Sequence, residues 1–322
     1  EYIEDLVAIG CKFVPCNCLE RQGTNPLKDL GLMNFYRKTL KEYQPDIVFT
    51  YTIKPNSYGG MVCGMMKVPY VVNITGLGTA IENESWMQKI ALTIYKLGLR
   101  KAKKVFFQNT TNRDFMVSRN VIKGAYDLLP GSGVNLARYE VSEYPDKDTV
   151  DFVFVGRMMK EKGIENYMEA AEYIHEKYPE TRFHICGAYE QDYREKLEEL
   201  QEKEVLVYHG MVKDMVAIYK EMSCTIHPSY YPEGLSNVLL ESSACARPII
   251  TTDRPGCGEV IDDGVNGYIC KQNDTKDLIM QIEKFLVLSR EARKQMGLAG
   301  RAKVEKEFNR QIVIDKYLAE LK

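Results

Sequence analysis

The stretch His227–Glu241, which reads HPSYYPEGLSNVLLE, decides how this part of the chain folds. An apolar run before it ends at Pro228, so a β-strand is predicted to stop there. Gly234 marks a loop and lets the backbone approach a ligand closely. Ser236 or Asn237 is a good N-cap for the sequence that follows, which has helical composition. The stretch therefore predicts a strand–loop–helix unit.

Two carboxylates flank the predicted helix start, with Glu233 in the loop and Glu241 just over one turn inside the helix. Between them, the backbone N–H groups of residues 234–238 and the positive helix end suit a phosphate. Carboxylates accept hydrogen bonds from sugar hydroxyls. The unit is therefore predicted to bind a nucleotide sugar through the donor-binding residues Gly234, Leu235, Ser236, Asn237 and Glu241, with Glu233 on the donor sugar. The alternative is a plain turn whose Glu residues are solvated.

The spacing of the two Glu residues, with PEGLSN between them, resembles the retaining GT-B glycosyltransferases of glycosyltransferase family 4. The resemblance extends over essentially the whole chain. It implies an α/β fold of the GT-B type, with two facing Rossmann-like doubly wound parallel-sheet domains. The alternation of strand and helix along the chain independently predicts parallel sheets. The resemblance also implies transfer with retention, and no cofactor besides a nucleoside-diphosphate sugar donor, expected to be UDP-linked.

A chain of 322 residues is longer than the chains that ordinarily fold around a single hydrophobic core, so two domains are predicted. A polar segment with few apolar residues places the boundary between an acceptor-binding domain, 1–145, and a nucleotide-sugar-binding domain, 146–322. The chain opens in a helical sequence, so we expect the first domain to lack its first strand. Residues 11–16, CKFVPC, are predicted to form a short strand. The resemblance implies that the last helix, about 308–321, packs back on the first domain.

Arg157 and Lys162 bracket a predicted turn after a strand, with Gly156 and Gly163 beside them. Two cations at the carboxyl end of a strand suit a diphosphate leaving group where no metal is built in. The alternative is a pair of plain surface charges. In the resembling family the same pattern forms a pyrophosphate clamp, and we predict that Arg157, Lys162 and Glu233 are catalytic.

A second glycine turn, in NITGLGTA, follows another strand and supplies Thr75, Gly76 and Gly78 as candidate acceptor-side residues. Their backbone could reach a phosphate or sugar, or the glycines could serve only a tight turn. Family members often carry a His here, and this chain reads Asn73-Ile74-Thr75 instead. The resemblance alone implies the remaining donor-site positions. They are Gly187, Met211 and Val212 near the base, and Gly131 and Gly133 at the mouth of the cleft.

The composition of the chain limits the classes of partner that it is expected to bind. The chain is 45% hydrophobic and 27% charged with net charge −2, as in soluble globular proteins, and nothing global points to nucleic acid. It has no run of eighteen apolar residues, so no membrane-spanning helix is predicted. Nine Cys without a CxxC pair predict reduced thiols and a cytoplasmic location, and four His without ligand spacing predict no metal site.

The segment 85–104 predicts one further helix with a cationic end, and its apolar face consists of Trp86, Ile90, Ile94 and Leu97. Two interpretations are open. The favoured one is a core helix whose C-terminal cations match the helix dipole. The other is peripheral contact of residues 86–104 with anionic lipids on the inner face of the membrane.

The TIKPNSYGG segment, followed by NITGLG, is similar to family members that extend lipid-linked oligosaccharides and capsular or O-antigen repeat units. The predicted function is transfer of a hexose or N-acetylhexosamine to a glycan or polyprenyl-diphosphate-linked acceptor in bacterial surface polysaccharide synthesis. One alternative is a non-catalytic nucleotide-sugar-binding or accessory subunit. Another is a sugar-nucleotide epimerase, which would need an acid–base pair of a kind that the sequence does not display. A pyridoxal-phosphate phosphorylase has no supporting motif.

Overall fold

A computed structural model describes residues 3–18, 26–78, 81 and 84–322. The chain divides into two compact units. The first contains residues 1–74, 84–106 and 117–126, and the second contains residues 75–83, 107–116 and 127–322.

The first sheet has four strands that lie side by side in chain order. They are β1 (Val48–Tyr51), β2 (Tyr70–Ile74), β3 (Lys104–Phe107) and β4 (Tyr126–Leu128). β1 and β2 run parallel, and β2 is buried along its whole length, as its apolar sequence predicts. The helices of this region are α1 (Ile3–Ala8), α2 (Pro26–Tyr43), α3 (Gly60–Met66), preceded by a π-helical turn at Pro55–Gly59, α4 (Trp86–Leu99) and α5 (Thr110–Ser118).

The strand predicted at residues 11–16 is not formed, and that prediction is wrong. These residues run as irregular chain, and Phe13 is exposed. A strand is stable only when a neighbour completes its hydrogen-bond ladder. The strands described in this unit pair only with one another. Residues 11–16 therefore have the composition of a strand but pair with none of the described strands.

The second sheet has six parallel strands in the order β10-β9-β8-β5-β6-β7. They are β5 (Val150–Val155), β6 (Thr181–Cys186), β7 (Leu206–Tyr208), β8 (Cys224–His227), β9 (Ile249–Thr252) and β10 (Gly267–Cys270). The helices are α6 (Ile164–Lys177), α7 (Arg194–Glu202), α8 (Met215–Glu221), α9 (Asn237–Ala244), α10 (Thr275–Leu286), α11 (Arg290–Glu307) and α12 (Arg310–Ala319).

The strand order of this second sheet indicates where a ligand would be expected to bind. The chain runs outward from β5 to β7 on one side and from β8 to β10 on the other, so the order reverses between β5 and β8. Phe152 on β5 pairs with Cys224 on β8, which places these two strands in direct contact. Ligands of open α/β sheets bind outside the carboxyl ends of the strands at such a reversal.

Helix α4 buries a different face from the favoured prediction. Trp86 is 70% exposed and Leu97 is 52% exposed, so the interpretation as a core-facing stripe is wrong. The helix packs instead through Gly98, where a side chain would collide with the backbone of Asn56 and Ser57. The close approach at this glycine decides which side faces inward, and it leaves the apolar stripe in solvent.

The last helix, α12, is tied to the end of β4. Lys316 donates to the carboxylate of Asp127 at 2.9 Å and to the carbonyl of Leu128 at 2.6 Å. Just before the helix, Asn309 forms a parallel bridge with Val134. Among the described residues, no helix is both long enough and apolar enough to cross a membrane.

Candidate active site

Lys162 and Glu233 meet where the strand order of the second sheet reverses. Lys162 ends a 3₁₀ turn, Lys160–Lys162, that follows β5. Gly163, at φ 76°, then starts α6 and lies so close to the carbonyl of Pro228 that no side chain fits there. This packing brings the Lys162 ammonium into contact with the Glu233 carboxylate, and the two side chains are only 13% and 14% exposed.

The surroundings of Lys162 favour release of its proton. Burial lowers the pKa of Lys162 to about 8, and the nearby Arg157 cation acts in the same direction. The Glu233 carboxylate that Lys162 touches favours the charged form. Tyr231 offers its ring to both cations, with the Lys162 Nζ 5.2 Å and the Arg157 Cζ 5.7 Å from the ring centroid. Because its pKa stays near 8, Lys162 is still mostly protonated at neutral pH.

Arg157 lies near this pair but has its own carboxylate partner. Its Nη1 is 3.2 Å from Glu190, and its side chain is 46% exposed. The structure therefore brings Arg157 to Lys162 and Tyr231, whereas only Lys162 touches Glu233. Neither Tyr231 nor Glu190 stood out in the sequence, because the former is one of 21 Tyr and the latter one of many acidic residues.

The loop that carries Glu233 is held by residues that follow β2 and β3. The Asn109 side-chain amide donates to the carbonyl of Gly234 at 2.6 Å and to that of Glu233 at 3.3 Å. A side chain at Gly234 would collide with the Thr75 carbonyl, so only glycine fits. Gly76 packs against the same loop. The structure thus brings the candidate residues Thr75 and Gly76 to Glu233.

Gly78 lies farther along the same turn. Its φ of 71° is in the left-handed region, and its carbonyl accepts a hydrogen bond from Ile81 at 3.2 Å. The need of this turn for positive φ accounts for the glycine.

Helix α9 begins beside this loop, as predicted, with Ser236 as its N-cap. The hydroxyl of Ser236 makes no bond to the helix and instead lies 3.2 Å from His227 Nε2. The Ser236 N–H donates to the carbonyl of Gly256 at 2.8 Å. The prediction that every amide of residues 234–238 is open to a ligand is therefore wrong for Ser236, because a distant glycine carbonyl already occupies it. The amides of Asn237 and Val238 start the helix and have no carbonyl partner within it.

Leu235 and Gly131 pack directly against one another. A side chain at Gly131, which has φ 61°, would collide with Leu235. Gly133, at φ 64°, lies against the backbone of Arg310, where α12 begins. The glycine loop at residues 131–133 is therefore joined both to the candidate donor loop and to the last helix.

Glu241 is half-buried on α9, just over one turn from the helix start. Burial raises the pKa of this carboxyl, while a hydrogen bond from Tyr139 and the cations Arg138 and Arg310 oppose the rise. The sequence indicated Glu241 but not the Tyr139 hydroxyl that it meets. No contact among the described residues joins Glu241 directly to Glu233.

Three glycines stack at the carboxyl ends of β5, β6 and β7. Gly187 donates its N–H to Gly210 at 2.8 Å and lies so close to the Gly156 carbonyl that a side chain would collide with it. Just beyond, Met211 is 66% exposed and Val212 is half-buried. The structure gives no contact from Met211 or Val212 to Glu233 within the described part of the chain.

A pocket of 160 Å³ opens beside Glu233. Arg254 and Asn112 are polar residues in its wall, and neither was identified from the sequence. A larger surface groove of 880 Å³ follows residues 137–147 and contains neither Glu233 nor Lys162. Within the described ranges, no three His, Cys, Asp or Glu side chains lie close enough to hold a metal ion.

Comparisons with known proteins cover both parts of the chain. Residues 139–303 match the family described as "Glycosyl transferases group 1", and residues 4–109 match the family described as "Glycosyl transferase 4-like". Over 99% of this chain and 87% of the relative, the sequence is 24% identical to the N,N'-diacetylbacillosaminyl-diphospho-undecaprenol alpha-1,3-N-acetylgalactosaminyltransferase of Campylobacter jejuni. Over 50% of this chain and 42% of the relative, it is 31% identical to the Staphylococcus aureus capsular polysaccharide biosynthesis glycosyltransferase CapM.

Solved structures of low sequence identity share the fold. A glycosyltransferase from Rickettsia africae gives a TM-score of 0.78 at 17% identity over 98% of this chain and 86% of its own. Anabaena HepE in complex with UDP gives 0.76 at 17% identity over 92% of this chain and 84% of its own. These similarities confirm the expected GT-B fold class with two parallel-sheet α/β domains.

Proposed function

Because this chain belongs to the group 1 glycosyltransferases, we propose that it transfers a hexosyl or N-acetylhexosaminyl group from a UDP-sugar to a lipid-linked glycan. The observation that carries the proposal is the contact between Lys162 and Glu233 beside the start of α9. One site there offers a cation, a carboxylate and open helix amides, which match a diphosphate and a sugar. The activity for which the Campylobacter relative is named supports the lipid-linked acceptor, and the UDP complex of HepE supports the nucleotide.

In this proposal each part of the donor has its own partners. The diphosphate lies between the amides of Asn237 and Val238 on one side and Arg157 and Lys162 on the other. Lys162 then exchanges its contact with Glu233 for the phosphate, which frees the carboxylate for the sugar hydroxyls.

The nucleoside lies along the carboxyl edge of the second sheet. Glu241 accepts hydrogen bonds from the ribose hydroxyls, and its burial makes those bonds stronger than they would be in water. The backbone at Gly187, Met211 and Val212 receives the base, where Gly156 and Gly187 leave no side chain in the way.

Transfer breaks the bond between the anomeric carbon and the diphosphate oxygen. Positive charge develops on the sugar while negative charge grows on the leaving phosphate. Each preorganised donor aimed at that oxygen contributes about 3 kcal/mol to transition-state stability. We propose that the leaving phosphate accepts the proton of the attacking hydroxyl on the same face of the sugar, which gives retention and requires no protein base.

The acceptor side of the proposal uses Thr75, Gly76 and Gly78, which border the Glu233 loop. For a lipid-linked acceptor, we also propose peripheral contact with an anionic bilayer through α4. Trp86, Ile90 and Leu97 are exposed on that helix, and so are Lys89 and Lys96. An apolar stripe flanked by cations is typical of helices that lie in a membrane interface.

The proposal is tested first by binding and then by transfer. UDP-sugars are added one at a time while thermal unfolding is followed, and a donor at a hundred times its Kd should add about 2.7 kcal/mol. The best donor is then incubated with a polyprenyl-diphosphate-linked glycan, and product is measured by mass spectrometry. Binding without transfer to any such acceptor would favour the accessory-subunit alternative, and absence of binding by any UDP-sugar would refute the proposed donor.

Glu233→Gln tests the assigned carboxylate. A hydrogen bond to a charged acceptor contributes about 1.5 to 3 kcal/mol, so kcat should fall on the order of tenfold to a hundredfold. Initial rates at saturating donor measure the effect. Glu195→Gln, on the exposed surface of α7, is the matched control and should keep full activity. Unchanged turnover in Glu233→Gln would remove this residue from the mechanism.

A further inference from the structure

Among the residues that the structure describes, three serines are helix N-caps, and the hydrogen bonding of one of them differs from that of the other two. Ser85 at the start of α4 and Ser289 at the start of α11 each accept the backbone N–H three residues later, both at 3.2 Å. Ser236 begins α9 with no such bond. Its hydroxyl is directed to His227 Nε2, 3.2 Å away.

His227 is placed firmly enough to hold that hydroxyl. It is the last residue of β8, it is 1% exposed, and its carbonyl accepts a hydrogen bond from Thr251 at 2.8 Å. Burial and the adjacent Lys162 cation lower the pKa of His227 to about 3, so the ring is neutral under any ordinary assay condition. Either tautomer of a neutral imidazole can bond a hydroxyl, as acceptor or as donor.

The backbone of Ser236 is fixed as well, because its N–H donates to Gly256. With the backbone held, the side chain has two alternatives: it bonds to His227, or it turns to an amide of the first helical turn. Serine makes the second choice at most helix starts, since it satisfies a donor that otherwise lacks a partner. The imidazole therefore competes with the helix for the same hydroxyl.

We propose that His227 is a positioning residue that keeps Ser236 from capping α9 and so keeps the first-turn amides open for the diphosphate of the donor. The inference rests on the proposed function, since it needs a diphosphate at this helix start. It assigns His227 no contact with substrate. The ring acts only through the serine hydroxyl.

Calorimetric titration of the full chain with UDP and with uridine tests the proposal. His227→Phe keeps a flat ring but has no atom to bond the serine. Ser236 should then cap the helix and compete with phosphate, so UDP should bind about fivefold to tenfold more weakly while uridine binds as before. His227→Gln places an amide group near the position of Nε2, and it should keep UDP affinity within about twofold of the parent.

The decisive variant combines two changes. Adding Ser236→Ala to His227→Phe removes the competing hydroxyl, so UDP affinity should recover to about that of Ser236→Ala alone. A double variant no better than His227→Phe would overturn the proposal, as would equal losses for UDP and uridine. If the Phe variant does not fold, failure of His227→Gln to retain UDP affinity would overturn it. A parent protein that binds no UDP would refute the donor site instead.

Discussion

Two lysine–carboxylate pairs lie largely below the surface, one in each compact unit, and their surroundings differ. Lys54 donates to one oxygen of Asp29 at 2.9 Å, and Tyr58 donates to the other at 2.8 Å. Lys162 touches Glu233 beside a second cation and a shared aromatic ring. Similar burial therefore does not decide the role of a pair. Both oxygens of Asp29 have partners within the unit, whereas Glu233 lies at a helix start that suits a ligand.

The largest effect on stability is expected from Lys54→Met. The change leaves the Asp29 carboxylate without its cation in a site where the carboxylate is 12% exposed. Removal of one partner of a buried pair should cost about 3 kcal/mol, measured by urea unfolding. The kcat of the folded fraction should stay at the parent value. A strong loss of kcat at full stability would contradict the comparison and would place Lys54 in the active site.

Lys162→Met should show the opposite pattern. In the proposed mechanism this cation stabilises the leaving phosphate, so its removal should lower kcat by about a hundredfold or more. The loss should appear in initial rates at saturating donor. Burial makes the charged form of Lys162 unfavourable in the folded state, so its removal should change the unfolding free energy less than Lys54→Met does. If both lysine variants lose only stability, the distinction between the two pairs is wrong.

The pH dependence of Lys162 sharpens the same comparison. In the proposed mechanism the ammonium form is the active one, and burial lowers the pKa of Lys162 to about 8. In the parent protein kcat/KM should therefore decline as pH rises through about 8. Lys162→Arg keeps its charge throughout this range, so its profile should lack that decline whatever its absolute rate. An identical alkaline limb in both proteins would assign the titration to another group.

Glu241→Gln has the smallest expected effect. It should lower the affinity for UDP and raise the stability of the fold. In the proposed site the ribose loses a charged acceptor, so UDP should bind about tenfold more weakly. Stability should change in the other direction. Burial raises the pKa of Glu241 in the folded state, so its ionised form is unfavourable above the unfolded pKa. That penalty disappears as pH falls through the raised folded pKa.

The unfolding midpoint of Glu241→Gln should therefore exceed that of the parent at pH 7 and equal it at about pH 4. Thermal unfolding at both pH values measures the difference. The control Glu195→Gln, at an exposed position, should follow the parent at each pH. A variant less stable than the parent at pH 7 would show that the Tyr139 bond outweighs the burial.

Local sequence patterns predicted the strand, loop and helix that form the candidate site. Pro228 and Gly234 mark the end of β8 and its loop, and the serine at 236 marks the helix start, because backbone chemistry over a few residues decides each of these features. The cations after β5 were found in the same way.

Hydrogen-bond partners that are distant in the chain could not be predicted from the sequence. The carbonyl that occupies the Ser236 amide comes from Gly256, and the amide that holds the Glu233 loop comes from Asn109, 124 residues away in the chain. Periodicity likewise revealed the apolar stripe of α4 but not its direction. That direction depends on a close backbone contact at Gly98, which has no signature in hydrophobic spacing.

Asn109 has a geometric consequence for the loop that it holds. Its side-chain NH₂ group donates hydrogen bonds to two successive backbone carbonyls, those of Glu233 and Gly234. In a trans peptide the N–H points away from the carbonyl of the same plane. The dipoles of two neighbouring peptide planes therefore share one orientation, with their hydrogens turned away from Asn109. A residue contributed by a remote turn thus sets the polarity of the backbone beside Glu233, without any charge of its own.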